Sequence, residues 1–262
     1  MKFTRAVATT LAALVVSGAA LSAQPATTQM KFVGTGTPTA TIGTVTGGVY
    51  RATVGGSIVG TSYIGGTTVD VVCVDLLHTV SGGQMWTAYS QTLYNPDQNY
   101  VRWGYEADWL KRYRRAAWLS VQMKSYASNS TEVKAIHSAI WRTFTGDKKY
   151  SVPVGTGATY GWTNVDGDAA LWTSAKDWIN KSIAAEASIS SSNLDYWKNF
   201  TVLSDKTMSK VYSGSGSSAT WIRMDGGTQE FIMTPEPASL ALLATGIAGL
   251  ALVARRRKGS RN

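Results

Sequence analysis

Between residues 39 and 76 the chain alternates short runs of Thr, Val, Ile and Tyr with Gly-Gly or Gly-Thr pairs. β-Branched residues at period two, broken by glycine, predict strands over 39–45, 48–54, 57–64 and 67–76, with another over 85–93. From residue 109 the period changes. Trp109, Tyr113, Ala116, Ser120, Met123 and Ala127 fall on one helical stripe, with Leu110, Ala117 and Val121 beside it. Lys111, Arg112, Arg114 and Arg115 mostly point elsewhere and read as a solvated face. A second helix begins at the capping pattern Ser130-Thr131-Glu132 and places Val133, His137, Ile140, Trp141 and Phe144 on its inner face. A third covers about 168–187, with Leu171, Ala175, Trp178 and Ile179 as core positions and Asp166 or Asp168 as its cap. Strands return over 200–203, 210–212, 219–224 and 228–233, around a flexible turn at 214–218. Strands, then helices, then strands predict one β-rich α+β domain with about three helices inserted into a β scaffold.

Both ends are apolar and unlike the middle. Lys2 and Arg5 precede the short apolar stretch 6–16, and small residues follow, a layout that predicts a signal peptide over 1–23 cut after one of residues 20–23. At the other end 238–254 is an uncharged run of 17 residues, followed at once by Arg255, Arg256, Arg257 and Lys258, then Arg261. As a helix it spans about 25 Å, the short end of what a bilayer core needs. The cationic cluster stops transfer and keeps that end cytoplasmic, so the domain over 24–233 lies outside.

Pro235-Glu236-Pro237 stands just before this run. Tripeptide, hydrophobic helix and terminal arginine cluster, in that order, resemble the PEP-CTERM sorting signal of Gram-negative bacteria, over 234–262. The resemblance implies handling by an exosortase, a membrane-embedded transpeptidase-like enzyme that cuts near the tripeptide, and a link to exopolysaccharide production. The two prolines fix φ and deny helix to the residue before each, holding the segment extended. A plain C-terminal anchor with a proline hinge predicts the same orientation.

Composition narrows the function. With 44% hydrophobic residues and 10 Trp among 262, the chain must bury a core, which excludes a disordered tail protein. The formal charge of +9 suggests nucleic acid at first. Setting aside Lys2, Arg5, the tail's five cations and Glu236 leaves 18 Lys+Arg against 15 Asp+Glu, a net of +3. The basic balance is mostly an addressing effect, and nucleic acid is not expected as a partner.

Cys73, alone of its kind, lies in VVCVDLLH, where alternation puts it on a face with Val71 and Asp75 and puts Val72, Val74 and Leu76 on the other. With AIHSAIW over 135–141, this segment resembles the paired signatures of the bacterial thioester domain of surface adhesins, across about 48–145. In that family a strand cysteine joins a helix glutamine four residues before tryptophan. Cys73 matches the cysteine and Trp141 the tryptophan, but His137 stands at the glutamine position. Imidazole has no carboxamide carbon, so the resemblance is to a degenerate domain and no thioester is expected. Adjacent, Cys73 and His137 would form a thiolate–imidazolium pair that Asp75 could orient, the arrangement of an envelope hydrolase or transferase. Buried, they are a small hydrophobe and a neutral histidine, the reading the sequence favours.

No cofactor or metal is expected: Cys73, Asp75, His78 and His137 are ligand types without a zinc spacing. Asp166 and Asp168 around Gly167 are better caps than a calcium loop. Trp86, Tyr89, Tyr94, Tyr100, Trp103 and Tyr105 cluster near amides and acids, where they either anchor a loop on the core or stack on sugar rings. The expectation is an exported, non-enzymatic surface or matrix protein.

Overall fold

The computed structural model describes residues 24–235 other than 43–44, 77, 146–150, 155–157, 162–168 and 217–218. In chain order the strands are β1 (Thr27–Ile42), β2 (Val45–Val54), β3 (Ser57–Val59), β4 (Ser62–Ile64), β5 (Thr67–Cys73) and β6 (Met85–Thr92). Helices α1 (Trp109–Ser125) and α2 (Ser130–Thr145) follow. Next come β7 (Ser151–Val154), β8 (Ala158–Gly161) and helix α3 (Ala169–Ser192). The chain closes with β9 (Thr201–Asp205), β10 (Ser209–Ser213), β11 (Thr220–Asp225) and β12 (Phe231–Met233).

Six antiparallel strands close into a barrel in the order β1-β2-β5-β12-β9-β6. Of the three remaining pairs, β3–β4 and β10–β11 are hairpins between barrel strands, and β7–β8 stands between α2 and α3. Alternation sorts each wall residue to one of two cores. Met30, Phe32, Tyr50, Ala52, Val71, Cys73, Trp86, Ala88, Leu203 and Phe231 fill the barrel. Val49, Val72, Val74, Val202 and Ile232 face outward, where the helices cover them. This makes the fold a barrel with a helical layer on one side, the mixed architecture the period changes predict. Helix α2 lies innermost, packed on α1, α3, β1 and β2, and is buried almost all round from Val133 to Thr145.

Strand register fixes which segments share a rim of the barrel. Met233 pairs with Val71 and Thr201, Thr201 with Thr92, Tyr89 with Thr27, Met30 with Val54, and Val54 with Thr67. The start of β1, the end of β12 and the β3–β4 hairpin between β2 and β5 therefore lie at one rim, the exit rim. The β10–β11 hairpin between β9 and β12 lies at the far rim, with Cys73 and Phe231.

Several expectations need correction. The first strand starts at Thr27, not 39, because Gly34, Gly36 and Pro38 break its period; its pairing shifts at Phe32/Gly34 and Thr35/Thr39. The stretch 57–64 is a hairpin turning at Gly60, and β5 ends at Cys73, so Asp75 lies beyond it. The cap of α2 is Asn129, whose side chain accepts from the Glu132 N–H at 3.2 Å. Glu132 instead accepts from the Trp178 indole at 2.8 Å. The arginine run on α1 is not a solvated face. Arg114 is buried, donating to the carbonyls of Leu93 and Tyr94 and lying over Trp197. Arg112 bonds Asp108 and the Phe144 carbonyl. Helix α3 runs on to Ser192, and the sequence reading missed β7–β8. The signal peptide, Asp166, Asp168 and the run 238–254 lie outside the described residues; among those described, no helix is long and apolar enough to cross a membrane.

Candidate functional site

The fold brings Cys73 and His137 together, but not as a reacting pair. His137 reaches from α2 to the far ends of β2 and β5. Its Nδ1 accepts from the Gly48 N–H, and its Nε2 lies 3.0 Å from the Cys73 carbonyl, which requires the Nε2–H tautomer. Both ring nitrogens are thus occupied by backbone. The Cys73 thiol donates instead to the Asp75 carbonyl at 3.1 Å. Both side chains are wholly buried. Burial holds His137 neutral, lowering its pKa to about 4. Burial, helped by the nearby Asp75 charge, pushes the thiol well above its ordinary range. A neutral imidazole bonded to amides cannot take the thiol's proton, and a thiol so raised is not a nucleophile.

Asp75 does not orient His137, the role it would have had in a catalytic pair. Past the end of β5 its carboxylate turns to the other histidine: Oδ2 lies 2.8 Å from His78 Nδ1 and 2.8 Å from Arg102 Nε. Arg102 also reaches His78 Nε2 at 3.2 Å and donates to the carbonyls of Gly226 and Thr228. Its backbone N–H donates to Glu230 Oε1 at 2.8 Å. Glu230 further accepts from the hydroxyls of Tyr113 and Ser204. Asp75, Arg102, Tyr113, Ser204 and Glu230 are all essentially inaccessible. Desolvation raises the pKa of Glu230, while its three donors and the Arg102 charge pull it down.

Pattern alone offers Asp75 and His78 as polar candidates and Tyr113 only as a core position of α1; Arg102, Ser204 and Glu230 carry no such mark. The one signal was an acid immediately before the apolar strand Phe231–Met233. This network ties the 98–106 loop, α1 and the far rim into one unit. No three His, Cys, Asp or Glu side chains among the described residues could hold a metal ion.

The aromatic cluster is mostly interior. Trp86 and Trp103 are buried, and Tyr89 packs edge-on against Tyr100 with centroids 4.8 Å apart. Tyr94 alone of the six is exposed, with the Lys198 ammonium 4.6 Å from its ring centre. An open groove of about 410 Å³ lies at the exit rim among Pro25, Ala26, Gln91, Asn95, Pro96 and Asp97. The Gln91 amide there is spent on the Asp97 backbone, and the Asp97 carboxylate accepts from the Asn99 backbone and side chain.

The remaining chemistry is at the C-terminus. Strand β12 ends at Met233, Thr234 is buried and Pro235 half-buried, so the barrel wall runs straight into the tripeptide. Residues 234–258 match the model of the PEP-CTERM protein-sorting motif. The chain carries an exosortase sorting signal. That motif implies an exported protein, held by its C-terminus and processed by an exosortase. Glu236, Pro237, Arg255, Arg256, Arg257 and Lys258 lie outside the described residues. No curated protein and no solved structure matches the chain. The thioester-domain likeness finds no support among these comparisons.

Proposed function

We propose that this chain is a non-enzymatic protein of the cell envelope or extracellular matrix, whose barrel is the cargo and whose two ends are its addresses. Export begins with the signal peptide over 1–23. The helix 238–254 then holds the chain in the inner membrane with Arg255, Arg256, Arg257 and Lys258 in the cytoplasm. An exosortase-type transpeptidase acts at Pro235-Glu236-Pro237, and the released domain joins the surface or matrix, in contact with exopolysaccharide.

The observation that carries this reading is the position of the sorting motif directly after β12. Cutting beyond Pro235 removes the membrane segment and leaves every barrel strand in place. Support for a non-enzymatic cargo comes from Cys73 and His137, whose polar atoms are committed to backbone partners. The competing reading, a cysteine-dependent envelope enzyme or adhesin, would need both side chains to be released from the core.

The test is mass spectrometry of both termini from membrane and secreted fractions. A mature N-terminus at about residue 24 and a secreted form ending near 235–237 are expected. Replacing Pro235 and Pro237 by alanine should leave the uncut form in the membrane. A secreted form retaining residues 238–254 would refute the sorting reading. Loss of a measured activity on Cys73→Ala in a stably folded variant would favour the enzyme.

A further inference from the structure

We infer that the exit rim of the barrel docks on the lipid surface, through an uncharged apolar hairpin on one flank and an amphipathic turn on the other, which bracket the point where the tail leaves. The inference rests on the anchored stage proposed above. Met233 is the last residue of β12, and the apolar run begins at residue 238. The four residues between them make five Cα–Cα steps, about 17 Å even fully extended. No stalk separates domain from bilayer, so the exit rim must face the headgroups at close range.

What that rim presents suits an interface. On the β5 side of β12 stands the β3–β4 hairpin, within a stretch from 52 to 69 that contains no charged residue. Val59 and Ile64 are each 59% exposed, the most exposed large hydrophobics among the described residues. The hairpin is fixed rather than loose: the Tyr63 hydroxyl donates to the Gln29 carbonyl at 2.7 Å and accepts from the Gly56 N–H at 3.0 Å. On the β9 side, the 3-10 turn Leu194–Asn199 runs into β9. There Leu194 is 41% exposed, and Lys198, paired with Asp195 at 2.9 Å, lies over exposed Tyr94. An aliphatic, a tyrosine and a long cation are the side chains that settle at headgroup level. A protein partner would have to share the same short gap with the bilayer, which favours lipid as the occupant.

The full chain, reconstituted in phospholipid vesicles, gives the test. Single reporters at Val59→Cys, Leu194→Cys and, on the far hairpin, Tyr212→Cys carry an environment-sensitive dye. The native Cys73 is buried and stays unlabelled, which an unsubstituted control verifies. Vesicles containing lipids brominated near the headgroup quench dyes at their surface. Quenching at 59 and 194 several-fold above that at 212 is the expected result. A chain that floats with the vesicles yet shows equal quenching at all three positions overturns the docking and leaves the anchor standing. A chain that fails to float overturns both. Val59→Asp with Ile64→Asp should reduce quenching at 194 without changing flotation; unchanged quenching would remove the hairpin from the interface.

Discussion

His137 is the residue at which the sequence reading and the structure diverge most usefully. Its place on an inner helix face was legible from period; its nearness to Cys73 was suggested only by the thioester-domain resemblance, and its partners were not legible at all. They depend on Gly48 arriving opposite α2, which no local pattern encodes. The consequence is a pH dependence with a definite sign. An unfolded histidine titrates near 6.5 and the folded one near 4. Below 6.5 the unfolded chain therefore takes up a proton that the folded chain refuses. This contribution is fully present above 6.5 and is lost as pH falls through 4. Tyr50 and Cys73, which face the ring, are both pushed up and do not titrate in this window. Between pH 7 and pH 4.5 the unsubstituted chain should lose roughly 2–3 kcal/mol more than His137→Gln, which cannot take the proton. Urea unfolding of both proteins at the two pH values measures the difference; parallel losses would refute a buried neutral imidazole. Glu230 makes a second residue-scale case. Glu230→Ala strands the Arg102 N–H and two hydroxyls and should cost about 3–5 kcal/mol, against about 1–3 for Tyr113→Phe, which removes one donor.

Elements were legible where one period ran unbroken. Helix α2 announced its inner face because apolar residues recur through sixteen residues with no glycine or proline. Strand β1 hid its first half because Gly34, Gly36 and Pro38 interrupt the alternation and the register shifts there. The arginines of α1 misled for a different reason. Charge predicts exposure only when the chain offers no buried acceptor, and the Leu93 and Tyr94 carbonyls are supplied by a loop far upstream. The joint between β2 and α2 depends on one glycine. Gly48 has φ +115, and a Cβ there would stand 2.7 Å from the Thr39 Cα and against the Pro38 carbonyl. Its N–H also serves His137. Gly48→Ala combines backbone strain with a displaced donor and should cost on the order of 2–4 kcal/mol. Gly60→Ala, at the open hairpin turn with φ +57 and no neighbour within 4 Å, should cost about 1 kcal/mol. Equal losses in thermal unfolding would show that the close approach at Gly48 does not matter.

At the scale of the molecule, the order of strands in space decides when the tail can be used. β12 is the last described strand in the chain, yet in the wall it sits between β5 and β9, not at an edge. Without it those strands face each other across a gap, with unpaired amides and carbonyls on both sides. It also carries Phe231, which stacks with Phe32 and Trp86 inside the barrel, and Ile232, which faces the helices. Glu230 just before it closes the polar network. Barrel closure therefore waits for the residues immediately before the sorting motif. A chain ending at 235 keeps every barrel strand and should show the same cooperative unfolding as the intact domain. A chain ending at 229 loses Glu230 and the whole of β12, and should fail to give a protease-resistant core. The same domain deprived only of 1–23 is the control, since β1 starts at Thr27. Limited proteolysis and denaturant unfolding of the three chains decide the matter. A resistant, cooperative core in the chain ending at 229 would mean that β12 is an ornament on the wall. Collapse of that chain beside an intact one ending at 235 would mean that any cut releasing a stable cargo must fall after Met233, within reach of the tripeptide.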